Sequence, residues 1–299
     1  MLSLKQITAA KASLCAVMIF LQATVVWADM NAIRQRGVIR HIGVPYARFV
    51  IGNGDGLSTE LIKGFAQYTG LGYEYVAATW KTVIPSLTGK TYRFAEGQAW
   101  VTGQCPVKGD IIATGLTILP WRKALIDYSS PTFPSGIWVI SRADSPLAPI
   151  RPHGGLQADI EKVKALIHGV SVLSKPGTCL DPALYGFKNS GVHWVELDMN
   201  VYEYVPALMN REVECTLLEV ADATISLEKW PGKIKVLGPV SPLQEMGCGF
   251  RKSDPDLREA FNEYLDILKK SGRYMELVHI YYPGICAYFP DFFSTVQGQ

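Results

Sequence analysis

Two proline-bearing crossovers interrupt a repeating pattern of short apolar runs and amphipathic segments, and they dictate what this chain can fold into. Val38 to Val44 reads as a strand and Ser58 to Thr69 as a helix closed by Gly70. Tyr73 to Ala78 is a second strand, and Trp80 to Leu87 a short helix ending at Gly89. Asp110 to Thr114 is a third strand, apolar after one acid, as in strands buried on both faces. The polar, aromatic stretch between them, residues 90–108, reads as an irregular insertion. Pro131, Pro134, Ser135 and Gly136 mark the first crossover.

A second set of alternating elements follows. Ile137 to Ser141, Val170 to Leu173, Val192 to Glu196 and Val213 to Glu219 read as strands. Gln157 to Ile167, Thr178 to Tyr185 after Gly177, and Val201 to Met209 read as helices. Ile234 to Leu237 leads through Pro239, Ser241 and Pro242 back toward the first set. Met246 to Arg251 is a strand there, and Pro255 to Lys270 and Tyr274 to Tyr281 are closing helices, with Pro255 tolerated in a first turn. The pattern predicts an α/β protein with two mostly parallel sheets. One lobe takes residues 29–135 plus 245–299 and the other residues 136–244. Two crossings make a hinge and a cleft. Ligands of open α/β sheets sit beyond the carboxyl ends of strands, so two facing lobes place two such edges around one pocket.

The first 28 residues are set apart. Lys5 and Lys11 precede an apolar run from Leu14 to Leu21, and Val26-Trp27-Ala28 offers a peptidase site. This predicts a secretory signal cleaved after Ala28 and an exported protein in the periplasm. The apolar run is short for a membrane span. Those two lysines are among 29 basic residues, which leaves 27 against 27 acids. A nucleic-acid binder carries a basic excess, so that class is disfavoured. Export permits disulfides, yet the five remaining cysteines (Cys105, Cys179, Cys215, Cys248 and Cys286) are odd in number. A bridge among Cys105, Cys248 and Cys286 is possible. No Cys-x-x-Cys pair, metal-ligand spacing of histidines or nucleophile elbow is present, so no metal, cofactor or catalytic residue is expected.

The chemistry concentrates after the third strand. Gly115 lets the backbone approach something that is not protein, a bound ligand, closely. Thr117 offers a donor and an acceptor, and Arg122 a planar fork of donors that fits a carboxylate. The stretch Gly115-Leu116-Thr117-Ile118-Leu119-Pro120-Trp121-Arg122, followed by Asp127-Tyr128-Ser129, resembles the Gly-x-Thr-x-Thr-Pro-Glu-Arg and Asp-Phe-Ser segments of the family 3 extracytoplasmic solute-binding proteins, the polar amino-acid type. Leu119, Trp121 and Tyr128 depart from that pattern. Four further segments resemble the same family in order. Gly43 to Phe49 is similar to its Tyr-x-Pro-Phe segment, and Thr79 to Leu87 to its aromatic-x-x-x-Ile-Pro-Ala/Ser-Leu helix start. Ser174 to Cys179 is similar to Gln/Lys-x-Gly-Thr, and Arg211 to Glu219 to Gly-x-Val-Asp-Ala-x-x-x-Asp.

The resemblance implies a type II periplasmic binding protein-like fold with a two-strand hinge. It also implies roles. Tyr46 and Trp80 would wall the ligand. Gly115, Thr117 and Arg122 would hold its carboxylate, joined by Thr178 at a helix start. Glu219 would take its ammonium. Each has a plainer reading: Tyr46 and Trp80 as core aromatics, Arg122 as a surface ion pair, Thr178 as an N-cap and Glu219 as a helix cap. The implied function is capture of a small carboxylate, an amino acid, by a monomer that closes about its hinge and serves an ABC transporter permease. Two other classes stay open: an exported lyase resembling cyclohexadienyl dehydratase, with Glu219 as general acid, and a stand-alone sensory binding module.

Overall fold

The computed structural model describes residues 30–52, 54–95, 97–187 and 190–297. The signal segment read at residues 1–28 lies outside them. Two five-stranded mixed sheets organise the chain.

In the first sheet, Val38–Gly43 lies between Gly72–Ala77 and Ile111–Ile112 and is parallel to both. Gly249–Phe250 and Asp127–Tyr128 complete it antiparallel. Ile39, His41 and Ile42 are all fully buried, as a strand covered on both faces requires. One cover is the helix Leu57–Thr69. Its Leu57, Leu61, Ile62, Phe65 and Ala66 fall on one face and are buried, each large side chain contributing about 1.5–3 kcal/mol. The helix stops because Gly70 adopts φ 71°, from which its N–H reaches the carbonyls of Ala66 and Gln67. The helices Pro255–Lys270 and Arg273–Tyr281 fill the same core with Phe261, Leu265 and Tyr274. The other face is covered by Val83–Thr88 and by Leu116, Leu119 and Trp121.

The second sheet runs His193–Val195, Ser171–Leu173, Cys215–Glu219, Ile137–Arg142, Ile234–Pro239. Cys215–Glu219 is buried at every position and pairs antiparallel with Ile137–Arg142, Glu219 opposite Ile137. The two crossovers pair with each other: Phe133–Ser135 runs antiparallel to Gln244–Met246, Gln244 opposite Ser135. This short ribbon connects the two sheets.

Several elements differ from expectation. Residues 90–108 are not irregular. Lys90–Ala95 and Gln98–Gln104 form an antiparallel hairpin. Alternating Tyr92 and Phe94 turn inward and meet Trp121, with ring centroids 5.8 and 4.8 Å apart, so two aromatic contacts anchor a strand whose other residues are polar or small. The third strand is regular only over Ile111–Ile112, although the Asp110 N–H still donates to the Arg40 carbonyl at 2.8 Å. The Asp110 carboxylate accepts from the Arg40 backbone N–H at 2.9 Å and pairs with the guanidinium groups of Arg36 and Arg40 at 2.5 and 3.0 Å. The helix read from Trp80 begins at Val83, since residues 79–82 form a turn closed by the Thr82 hydroxyl. The five described cysteines are all free thiols. In the tail, Phe289 and Phe293 are buried in the first core, while Tyr288 rests on Trp138.

Candidate ligand-binding site

A cavity of about 280 Å³ opens between the ends of the two sheets. Tyr46, Trp80, Gly115, Thr117, Arg122, Thr178 and Glu219 all line it. Lining is shared, but the seven do different things.

Arg122 reaches the cavity because Pro120 fixes the first turn of the helix Pro120–Leu125, directly after the extended Leu119. The side chain is buried. Its Nη1 donates to the Thr117 carbonyl at 2.9 Å, and its guanidinium carbon lies 5.2 Å from the centre of the Trp121 ring. Its Nε has no partner, and among the described residues no carboxylate pairs with it. A buried cation in this condition bears an unmet desolvation cost. The reading of Arg122 as a surface ion pair is therefore excluded.

Thr117 ties that guanidinium to the acid opposite. Its carbonyl also accepts from Tyr128 Oη at 3.1 Å, and its hydroxyl donates to Glu219 Oε1 at 2.7 Å. Glu219 ends its fully buried strand, and the next N–H, of Val220, donates to the Gly136 carbonyl at 2.9 Å. Its carboxylate is not a helix cap. It accepts from three hydroxyls: Thr117 Oγ1 and Ser135 Oγ, both at 2.7 Å, and Tyr46 Oη at 2.5 Å. Two of these donors come from the first sheet's side and one from the ribbon.

The aromatic pair is arranged differently from a sandwich. Tyr46 is buried, stacks on Phe49 at 6.0 Å and meets Trp80 edge to face at 5.3 Å and 80°. The rings touch each other and do not face across a gap. Burial, followed by the charges of Asp222 and Glu219, pushes the Tyr46 hydroxyl well above the ordinary phenol range, so it stays a donor. Gly115 has φ 62°, and a Cβ there would lie 2.3 Å from Phe49 Cδ2. The close approach that demands glycine is thus to a neighbouring ring.

Thr178 is not at a helix start. Its hydroxyl donates to the Lys175 carbonyl at 2.7 Å and accepts from Leu180 N–H at 3.0 Å, closing a turn. The helix, one turn of 3₁₀ type at Pro182–Tyr185, begins after Asp181, which accepts from Ala183 and Gly177 N–H groups. Pro182 suits the first position of a helix, which sets the start four residues later than expected. The expectation that Thr178 holds a carboxylate at a helix start falls with it. Arg48, in the segment that resembles the family's Tyr-x-Pro-Phe, does not line the cavity. It pairs with Glu228 and donates to the Tyr281 carbonyl at 3.0 Å.

Sequence reasoning missed Asp222, Cys179 and Tyr202, which line the same cavity. Asp222 sits three residues past Glu219 in the first turn of Val220–Lys229. That spacing puts both acids at one helix end and was the available signal. The residue is 8% exposed, and its buried Oδ2 has no hydrogen-bond partner. Burial, with the Glu219 charge adding and the Tyr46 hydroxyl opposing, raises its pKa to about 7. Cys179 is kept protonated by burial and by Glu219. Tyr202 Oη crosses the cleft to the Pro45 carbonyl at 2.5 Å. The described residues hold no cluster of three or more potential metal ligands.

The fold matches solved binding proteins. A mutant of ArgBP from T. maritima superposes with a TM-score of 0.65 at 25% identity, covering 85% of this chain and 98% of that one. The ancestral amino acid-binding protein AncCDT-1, described as a precursor of cyclohexadienyl dehydratase, gives 0.64 at 22% identity, with 84% and 98% covered. The substrate binding protein of an amino acid ABC transporter gives 0.62 at 21%, with 83% and 100% covered. The architecture is the two-lobed one of periplasmic binding proteins. Residues 106–284, which carry the Thr117–Arg122 stretch, the ribbon and Glu219, match the model of the bacterial extracellular solute-binding proteins, family 3, and the chain belongs to that family.

Proposed function

We propose that this protein captures a small carboxylate-bearing ligand, an amino acid, in the cavity between its sheets and presents it to an ABC transporter permease. The observation that carries this reading is Arg122: it lines the cavity, is buried, has no described carboxylate as partner, and keeps a buried Nε without a hydrogen bond. A carboxylate arriving there gains charge-assisted, paired hydrogen bonds in a low-dielectric site. The lobes, 29–135 with 245–299 and 136–244, close about the ribbon Phe133–Ser135/Gln244–Met246. Tyr46, Trp80, Gly115 and Thr178 shape the walls of the closed form. The protein acts as a monomer in the periplasm, exported by residues 1–28, and catalyses nothing. Calorimetric titration of the purified protein against the twenty amino acids tests this. Binding that Arg122→Ala removes is the expected result; binding undiminished in that variant overturns it.

The paired acids favour one second reading. Glu219 and the proton-holding Asp222 share a buried cleft, which is the setting a general acid needs, and AncCDT-1 is described as a dehydratase precursor. Incubation with arogenate or prephenate, followed by the ultraviolet absorbance of an aromatic product, decides it.

A further inference from the structure

We propose that Asp222, and not Glu219, receives the cationic group of the ligand, and that Glu219 acts as the latch that draws the two lobes together. The inference deepens the reading of the cleft as an amino-acid site and rests on it.

Acceptor capacity separates the two acids. An ionised carboxylate offers about four lone-pair sites. Glu219 has committed three of them, to Thr117, Ser135 and Tyr46. Those donors come from the opposite side of the cleft and from the ribbon, so each bond holds the second sheet's acid against the rest of the molecule. An ammonium at Glu219 would have to displace part of this set. Asp222, more than nine-tenths buried, lines the same cavity, and its Oδ2 has no hydrogen-bond partner, although the Tyr46 hydroxyl, given to Glu219 at 2.5 Å, lies near enough to favour its charged form.

Charge points the same way. The titratable groups acting on or acted on by Asp222 are Glu219 at the end of its strand, Tyr46 in the loop after the first strand, Cys179, Tyr202, and Tyr282 at the end of the closing helices. None of these is a cation, and Lys175, which also lines the cavity, turns its Nζ to the Met199 carbonyl at 2.7 Å. Arg122, the cavity's buried guanidinium, is engaged with Thr117. A buried acid with an open acceptor and no cation of its own is stabilised by an ammonium brought from outside, which offers three donors and a charge. The cavity then reads as a zwitterion site: carboxylate on Arg122, ammonium on Asp222. Raised to about 7 by burial, Asp222 carries its proton over part of the neutral range and gives it up when the ammonium arrives.

The test compares each L-amino acid that binds with its des-amino carboxylic acid, by calorimetry, on the wild type, Asp222→Asn and Glu219→Gln. The wild type should prefer the amino acid. D222N, a near-isosteric change, should weaken the amino acid by about tenfold or more while leaving the des-amino acid within about twofold. E219Q should weaken both alike. A wild-type readout stands beside the variants: below pH 7, amino-acid binding should expel a proton, measured in buffers of different ionisation enthalpy, and des-amino acid binding should not. The proposal is overturned if D222N keeps the wild-type preference, if E219Q alone abolishes it, or if no proton is exchanged. Failure of every amino acid to bind the wild type would instead remove the underlying reading, and the proposal with it.

Discussion

Two buried charge clusters in this molecule look alike on a list of residues and differ in how completely they are paired. Around Asp110, the chain gathers Arg36, Arg40, Arg251 and Asp254. Every charged side chain there has an opposite partner, and Arg251 also donates to the carbonyls of Leu87 and Gly109 at 3.0 and 2.7 Å. Even its Nη2, which makes no hydrogen bond, lies 3.6 Å from Asp110 Oδ1. In the cleft, among the described residues, Arg122 has no acid partner, Asp222 has no cation partner, and Glu219 is satisfied by neutral hydroxyls. A cluster balanced within the chain ties strands to helices. A cluster left unbalanced is costly unless something else supplies the missing charge. That difference is why we propose the cleft, and not the Asp110 cluster, as the ligand site.

Substitutions in the two clusters should therefore read out differently. Asp110→Ala leaves guanidinium groups stranded beside a buried site and should cost about 3–5 kcal/mol in denaturant unfolding, with ligand affinity of the folded fraction intact. Arg122→Ala should do the reverse, lowering amino-acid affinity about a hundredfold or more, some 2.7 kcal/mol, with little loss of stability. If both variants lost stability and affinity together, the distinction between the clusters would be broken.

Gly115→Ala sits between these extremes. The left-handed backbone and the Phe49 ring 2.3 Å from the added Cβ predict a loss of about 1–3 kcal/mol. Because Phe49 stacks on Tyr46, affinity should fall as well.

The pH dependence of the ligand-free protein sharpens the comparison at the small end. Asp222 has a folded pKa of about 7, above the roughly 3.9 of an unfolded aspartate. The folded state then binds its proton more tightly, so this contribution to stability is full below about pH 4 and is lost as pH rises through about 7. Thermal melts of the wild type from pH 5 to 8 should show the decline, and those of D222N should not.

Most of the element order and both crossovers were legible, because apolar periodicity and proline placement are local signals. The stretch through Arg122 was legible too: Pro120 sets a helix start, and two positions later a guanidinium must emerge beside the strand's carboxyl end. What escaped reading depends on distant partners. The hairpin at 90–104 is held by Trp121, which lies well beyond it in sequence. The fate of Asp110 depends on Arg36 and Arg251. The helix expected at Thr178 yielded to Asp181 and Pro182, a local signal overlooked in favour of the Gly-Thr pattern. The resemblance marks Glu219 as the acceptor of a ligand ammonium, but nothing in the chain's order reveals that Tyr46, Thr117 and Ser135 already surround it, or that Asp222 Oδ2 beside it has no partner.

A crystal structure of the protein with a bound amino acid tests the central claim most directly. It should place the ligand carboxylate on Arg122, with at least one oxygen about 2.7–2.9 Å from a guanidinium nitrogen. A ligand seated elsewhere, with no oxygen on the Arg122 guanidinium, would contradict it.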